Sequence, residues 1–233
     1  MTLASSVVNS AIKGLTGILC RVGEIQTEKV PECGPLIIVS NHVNFLELPV
    51  LYTRLLPRPM MGFAKVETWD NSALRLLADL WGGIPLHRGE ANTSAMRQAL
   101  EALDAGLILG VTPEGTRSGH GRLQRGHPGV VLLALRSGAP LLPRVFWGGE
   151  LFWDNMTRLR RTDFYTAVGQ PFTLDAAGVK VTSQVRQEMT DEIMYQMAAL
   201  LPPAYRGVYA DLSSASEAYL RFPQGAESNL PRA

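Results

Sequence analysis

Leu36-Ile37-Ile38-Val39 is an unbroken apolar run ending in the polar string Ser40-Asn41-His42, and Leu107-Ile108-Leu109-Gly110-Val111 has the same character further along. Such short runs, rich in branched side chains, read as strands buried on both faces of a sheet. Around them lie Met60 to Ala64, Gly83 to Leu86, Leu141 to Phe146 and Phe164 to Val168, all strand-like. Helical spacing fills the intervals: a stretch through Leu51, Leu55 and Leu56, then Ser72 to Leu80 and Ser94 to Leu103. A further helix opens at Pro128 and ends by Gly138, and Ser183 to Leu201 is stopped by Pro202-Pro203. The alternation predicts an α/β fold, a single layered domain with a mostly parallel central sheet flanked by helices.

The chain has 233 residues, enough to bury roughly 70% of its unfolded surface without a disulfide or metal staple. Hydrophobic residues at 46% against 18% charged exclude a disordered or fibrous chain. The net charge of +1 gives no global field for nucleic acid. Its cations are nearly all arginine, the side chain suited to fixed, forked holding of phosphate. Two cysteines, Cys20 and Cys33, make no disulfide framework and point to a reducing compartment.

No apolar run reaches the 18 or so residues of a spanning helix; the longest, Gly129 to Trp147, is cut by Arg136 and Arg144. The amino terminus instead predicts an amphipathic helix. Leu3, Val7, Val8, Ile12, Leu15, Ile18, Leu19 and Val22 share one stripe, opposite Ser5, Ser6, Asn9, Ser10 and Lys13. It fits a helix packed on its own domain or one lying in a lipid surface. The expected organisation is an amphipathic helix over 1–22, a domain over 23–211 and a tail over 212–233.

Four strand ends carry chemistry. Asn41-His42-Val43-Asn44-Phe45-Leu46-Glu47 follows the first buried strand, at the edge where such sheets place their ligands. His42 and Glu47 can converge only if His42 precedes a helix that starts near Glu47, and Pro49 belongs in the first turn of that helix. The pair then suits general-base catalysis; a bare helix cap by Asn44 and Glu47 is the plainer alternative. Pro113-Glu114-Gly115-Thr116-Arg117-Ser118 offers a tight glycine turn with a forked cation, or an ordinary turn with a Glu114–Arg117 ion pair. Lys65 and Arg88 stand at two further strand ends. His42, His87, His120 and His127 show no metal-ligand spacing.

Asn41-His42-x4-Glu47, Ala64-Lys65-x-Glu67, Gly83-Ile84-x3-Arg88, Pro113-Glu114-Gly115-Thr116-Arg117-Ser118 and Pro140-x2-Pro143 together resemble the 1-acyl-sn-glycerol-3-phosphate (lysophosphatidic acid) acyltransferases. The resemblance implies acyl transfer from acyl-CoA or acyl-carrier protein to the hydroxyl of a lysophospholipid, with His42 as base and Glu47 its partner. It implies an acceptor phosphate held by Lys65, Arg88 and Arg117 in a pocket shaped by Glu114, Gly115 and Thr116. It requires no metal or nucleotide cofactor and no nucleic acid, and it places the protein peripherally on the cytoplasmic face of a membrane. Glu47 stands where the family pattern has aspartate, Asn44 where serine is frequent, and Thr112 where phenylalanine is common. A different lyso-lipid acceptor, or a non-catalytic lipid-phosphate binding protein, are the competing readings.

Overall fold

The computed structural model describes residues 3–23, 26–54, 58–87, 92–176 and 178–231. Helix α1 (Leu3–Leu19) leads into strand β1 (Cys20–Val22), then β2 (Leu36–Ser40) and α2 (Glu47–Arg54). β3 (Met60–Lys65), α3 (Ser72–Leu80), β4 (Gly83–Leu86), α4 (Thr93–Asp104), β5 (Ile108–Val111), α5 (Gly129–Ser137) and β6 (Leu141–Trp147) continue the alternation. After it come α6 (Phe152–Thr157), β7 (Thr162–Val168), β8 (Thr173–Leu174), α7 (Ser183–Leu200) and β9 (Leu220–Arg221).

Seven strands form one sheet in the order β1-β7-β6-β2-β5-β3-β4. β6, β2, β5, β3 and β4 run parallel, and β7 lies antiparallel to β6. The β6–β7 connection holds a 3-10 turn at Gly149–Leu151 and the short α6, and it returns the chain antiparallel beside β6. The expected mostly parallel sheet with flanking helices is therefore the observed one.

Alternation along the central strands divides the core. Ile37, Val39, Leu109, Leu141 and Val145 pack with α4, α5 and α7, whereas Leu36, Ile38, Leu142 and Phe146 face α2 and Phe152. Leu36, Ile37, Ile38 and Val39 are all fully buried, and each contributes roughly 1.5–3 kcal/mol by leaving water. Gly138 closes α5 in the left-handed conformation that a residue without Cβ adopts freely. The tail does not hang free. Glu192 accepts the Ala218 and Tyr219 amides, Asn229 is bonded to Gln196, and β9 pairs with β8.

The N-terminal segment departs from its sequence reading at its end. The helix stops at Leu19, and Cys20–Val22 becomes an edge strand beside β7. Its protein-facing side carries Ser5, Asn9 and Thr16, all buried, while Val7, Leu15 and Ile18 are 62%, 55% and 70% exposed. The packed face is mixed: Val8, Ile12 and Leu19 are half-buried beside those three, and Ser6, Ser10 and Lys13 of the polar stripe are exposed. Asn9 Oδ1 accepts the Trp81 indole N–H at 2.9 Å, and Trp81 stacks on Tyr52 of α2. The helical residues Leu55 and Leu56 expected after α2 lie outside the described residues, as does Arg88. Among the described residues, no helix is long and apolar enough to cross a membrane.

Candidate active site

Parallel strands aim their carboxyl ends at one edge, so β6, β2, β5, β3 and β4 deliver their following residues side by side. At about 4.8 Å between neighbours, Lys65 leaves the sheet two strands, about 10 Å, from His42, with the Glu114 loop between them. Arg88, one strand beyond Lys65, is outside the described residues.

The strand-to-helix turn after β2 is built by side-chain hydrogen bonds. Asn41 is buried and clamps the end of β6, donating to the Phe146 carbonyl at 2.7 Å and accepting the Phe146 amide at 2.8 Å. His42 Nδ1 lies 3.1 Å from Glu47 Oε2, with the His42 side chain 15% and the Glu47 side chain 3% exposed. Both Glu47 oxygens also accept the Asn44 amide, at 3.0 and 3.2 Å. One carboxylate thus performs both tasks that the sequence set against each other, fixing the imidazole and tying the turn. Helix α2 begins at Glu47, which leaves Pro49 in its first turn, where a missing N–H is harmless. An ionised carboxylate only accepts, so Nδ1 carries the proton and Nε2 is left with a free lone pair.

The loop after β5 closes on this turn through the backbone. The Ser118 amide donates to the His42 carbonyl at 2.8 Å and the Gly119 amide to the Val43 carbonyl at 3.0 Å. Gly115 takes a left-handed φ of 68°, and a Cβ there would press on the His127 ring. Glu114, expected to help shape the phosphate pocket, points inward and is only 2% exposed. Its Oε1 accepts the His42 amide at 3.1 Å and its Oε2 the Gln124 amide at 3.2 Å. Burial pushes its carboxyl up to about 7; the bonds from His42 and Gln124 oppose the rise, and Glu47 adds to it. The Glu114–Arg117 ion pair does not form. Thr116, Arg117 and Lys65 are exposed, and neither cation has an ion-pair partner among the described residues.

Three further contacts, which the sequence did not assign, hold the site together. Asn44 Nδ2 donates to the Gly149 carbonyl at 2.5 Å, and the Gly148-Gly149 pair beyond β6 marks that turn. Gln124 shares Glu114. The Tyr205 to Tyr209 segment braces the loop, Leu123 donating to the Tyr205 carbonyl and Gly126 to Tyr209 Oη. A Cβ at Gly207 would strike the Leu123 backbone. Among the described residues no three His, Cys, Asp or Glu side chains gather as metal ligands.

Comparison with known proteins meets this geometry at one place. A family model described as Acyltransferase matches residues 21–147, from β1 through the last residue of β6. The chain belongs to the acyltransferase family. The matched part of this acyltransferase holds every strand end described above. The chain is 34% identical over 124 residues to a 1-acyl-sn-glycerol-3-phosphate acyltransferase of Limnanthes alba, covering 52% of this chain and 44% of that protein. It is 25% identical over 140 residues to the Bacillus subtilis protein of the same name, covering 60% and 69%. The acyltransferase chain therefore spans about half the length of the Limnanthes relative. Its fold resembles the crystal structure of the 1-acyl-sn-glycerophosphate acyltransferase PlsC from Thermotoga maritima, with a TM-score of 0.60 at 22% identity over 82% of this chain and 78% of that one.

Proposed function

We propose that the protein transfers a fatty acyl group from a thioester donor, acyl-CoA or acyl-carrier protein, to the free hydroxyl of 1-acyl-glycerol-3-phosphate, forming phosphatidic acid. The observation that carries this reading is the buried Glu47 carboxylate on His42 Nδ1, set at the carboxyl edge of the sheet beside a cation-bearing loop. Nε2 takes the hydroxyl proton as the oxygen attacks the thioester carbonyl. The resulting imidazolium faces Glu47, which stabilises it. Collapse of the tetrahedral adduct breaks the C–S bond, and the proton passes from Nε2 to the leaving thiolate. His42 ends neutral, with no covalent enzyme intermediate.

Lys65 and Arg117 hold the acceptor phosphate, with Arg88 assigned to the same task by its place after β4. The exposure of Lys65 and Arg117 leaves their donors free for an incoming dianion, and their long side chains can reach back across the gap to His42, towards a phosphate on the glycerol carbon next to the reacting hydroxyl. Glu114 and Gly115 set the backbone beneath them. The protein works peripherally at the cytoplasmic face of a membrane, where its lipid acceptor resides.

The test is label transfer from acyl-CoA to 1-acyl-glycerol-3-phosphate in detergent micelles, run beside monoacylglycerol and lysophosphatidylcholine. Phosphatidic acid should dominate, and Lys65→Ala should raise KM for the phosphorylated acceptor while sparing monoacylglycerol. Preference for lysophosphatidylcholine would move the assignment to another lyso-lipid. Acceptor binding with no turnover of any donor would leave a lipid-phosphate binding protein.

A further inference from the structure

Helix α6 and the turn after it carry apolar side chains that the core does not use. Phe152 is buried and anchors the helix, yet Trp153 is 57% and Leu159 97% exposed. Leu159 also has a φ of 52°, the left-handed conformation that closes a helix and that glycine adopts without strain. Leu159 and Arg158 donate their amides to Met156 and Asn155, so the turn is closed by hydrogen bonds. A leucine held there in strain, wholly outside the fold, gains nothing from this chain alone. On either side of it stand Arg158, Arg160 and Arg161, all exposed.

The turn adjoins two other features. Arg161 donates to the Gly17 and Cys20 carbonyls at 2.6 and 2.8 Å, placing the turn beside the end of α1, where Leu15 and Ile18 point outward. On its other side the Trp153 ring sits 5.6 Å from Phe45, three residues after His42. Of the nearby acids, Glu150 is bonded to Tyr205 Oη and Asp163 is paired with Arg21, leaving Asp154 against the arginines.

We infer that the 151–161 segment is a second membrane contact, which together with the outward stripe of α1 seats the active site on an anionic bilayer surface. Leu159 and Trp153 enter the acyl–headgroup boundary, and Arg158 and Arg160 meet lipid phosphates at its rim. The Phe45–Trp153 contact then sets the His42 turn directly above the plane from which a lysophospholipid arrives. This inference rests on the proposed lipid acceptor for its purpose, although vesicle binding tests it without any turnover.

The experiment is co-sedimentation of the full chain with vesicles of phosphatidylcholine alone and of an equimolar phosphatidylcholine–phosphatidylglycerol mixture. The wild type should prefer the anionic vesicles. Arg158→Gln with Arg160→Gln should weaken that binding by roughly thirtyfold, and Leu159→Ser should weaken binding to both vesicle types. Both variants should keep the wild-type rate on a short-chain, water-soluble lysophosphatidic acid. Equal wild-type binding to neutral vesicles, or loop variants that bind like wild type while Val7→Ser with Ile18→Ser abolishes binding, would overturn the inference. A wild type that binds vesicles yet turns over no acceptor would instead contradict the proposed reaction and leave the contact standing.

Discussion

Glu47 accepts from the His42 ring and from the Asn44 amide at once, so its charge and its reach both matter. Glu47→Gln keeps the length and loses the charge, and turnover should fall on the order of 10²- to 10⁴-fold with the fold intact; a near-normal rate with a lowered melting temperature would reduce Glu47 to a cap. Glu114 makes a pH prediction. Its carboxyl holds a proton up to about 7 when folded and releases it near 4.5 when unfolded, so the folded state binds the extra proton between those values. Stability from this group is full below about 4.5 and drains away as pH rises through about 7, by at most about 3 kcal/mol. Melting curves across that window should slope less for Glu114→Gln than for wild type, and parallel curves would contradict the assignment. The His42–Glu47 convergence was legible because Pro49 restricts where a helix can start. Glu114 turning inward was not, since nothing in Pro113-Glu114-Gly115 tells a turn that faces water from one pinned beneath a neighbouring amide.

Elements were legible where the apolar period was strong. β2, β5, α3 and β4 fall where their patterns put them, because a strand covered on both faces and a helix capped by Asn71 are settled by local chemistry. α1 shows the limit. Its stripe is plain in the sequence, but periodicity cannot say which face meets the protein, and Ser5, Asn9 and Thr16 allow the close approach that larger residues would block. Asn9→Ala should therefore destabilise by about 1–2 kcal/mol, through the orphaned Trp81 N–H, read as a lower urea midpoint at unchanged slope. Val7→Ser, on the outward face, should stay within about 0.5 kcal/mol of wild type. The reverse order would mean that the face carrying Val7 is the packed one. α6 escaped detection because six residues hold too few periods to register.

At the scale of the molecule, strand order does the work. The chain visits β2, β3, β4 and β5 in sequence, yet the sheet inserts β5 between β2 and β3, so the Glu114–Arg117 loop lands next to His42. That the strand ends share an edge follows from parallel strands; which neighbours which does not, because long-range pairing leaves no local mark. The order also places the apolar α1 stripe and α6 on the layer that carries α2, the helix opened by Glu47. The whole arrangement converges on a proton leaving an acceptor hydroxyl for His42. The most direct measurement is label transfer from acyl-CoA to lysophosphatidic acid by wild type and His42→Ala, with calorimetric binding of the acceptor to both. The account predicts that the variant binds the acceptor within a few-fold of wild type while kcat falls by at least about 10². A variant that retains near-wild-type kcat would remove His42 as the base and the reaction scheme with it.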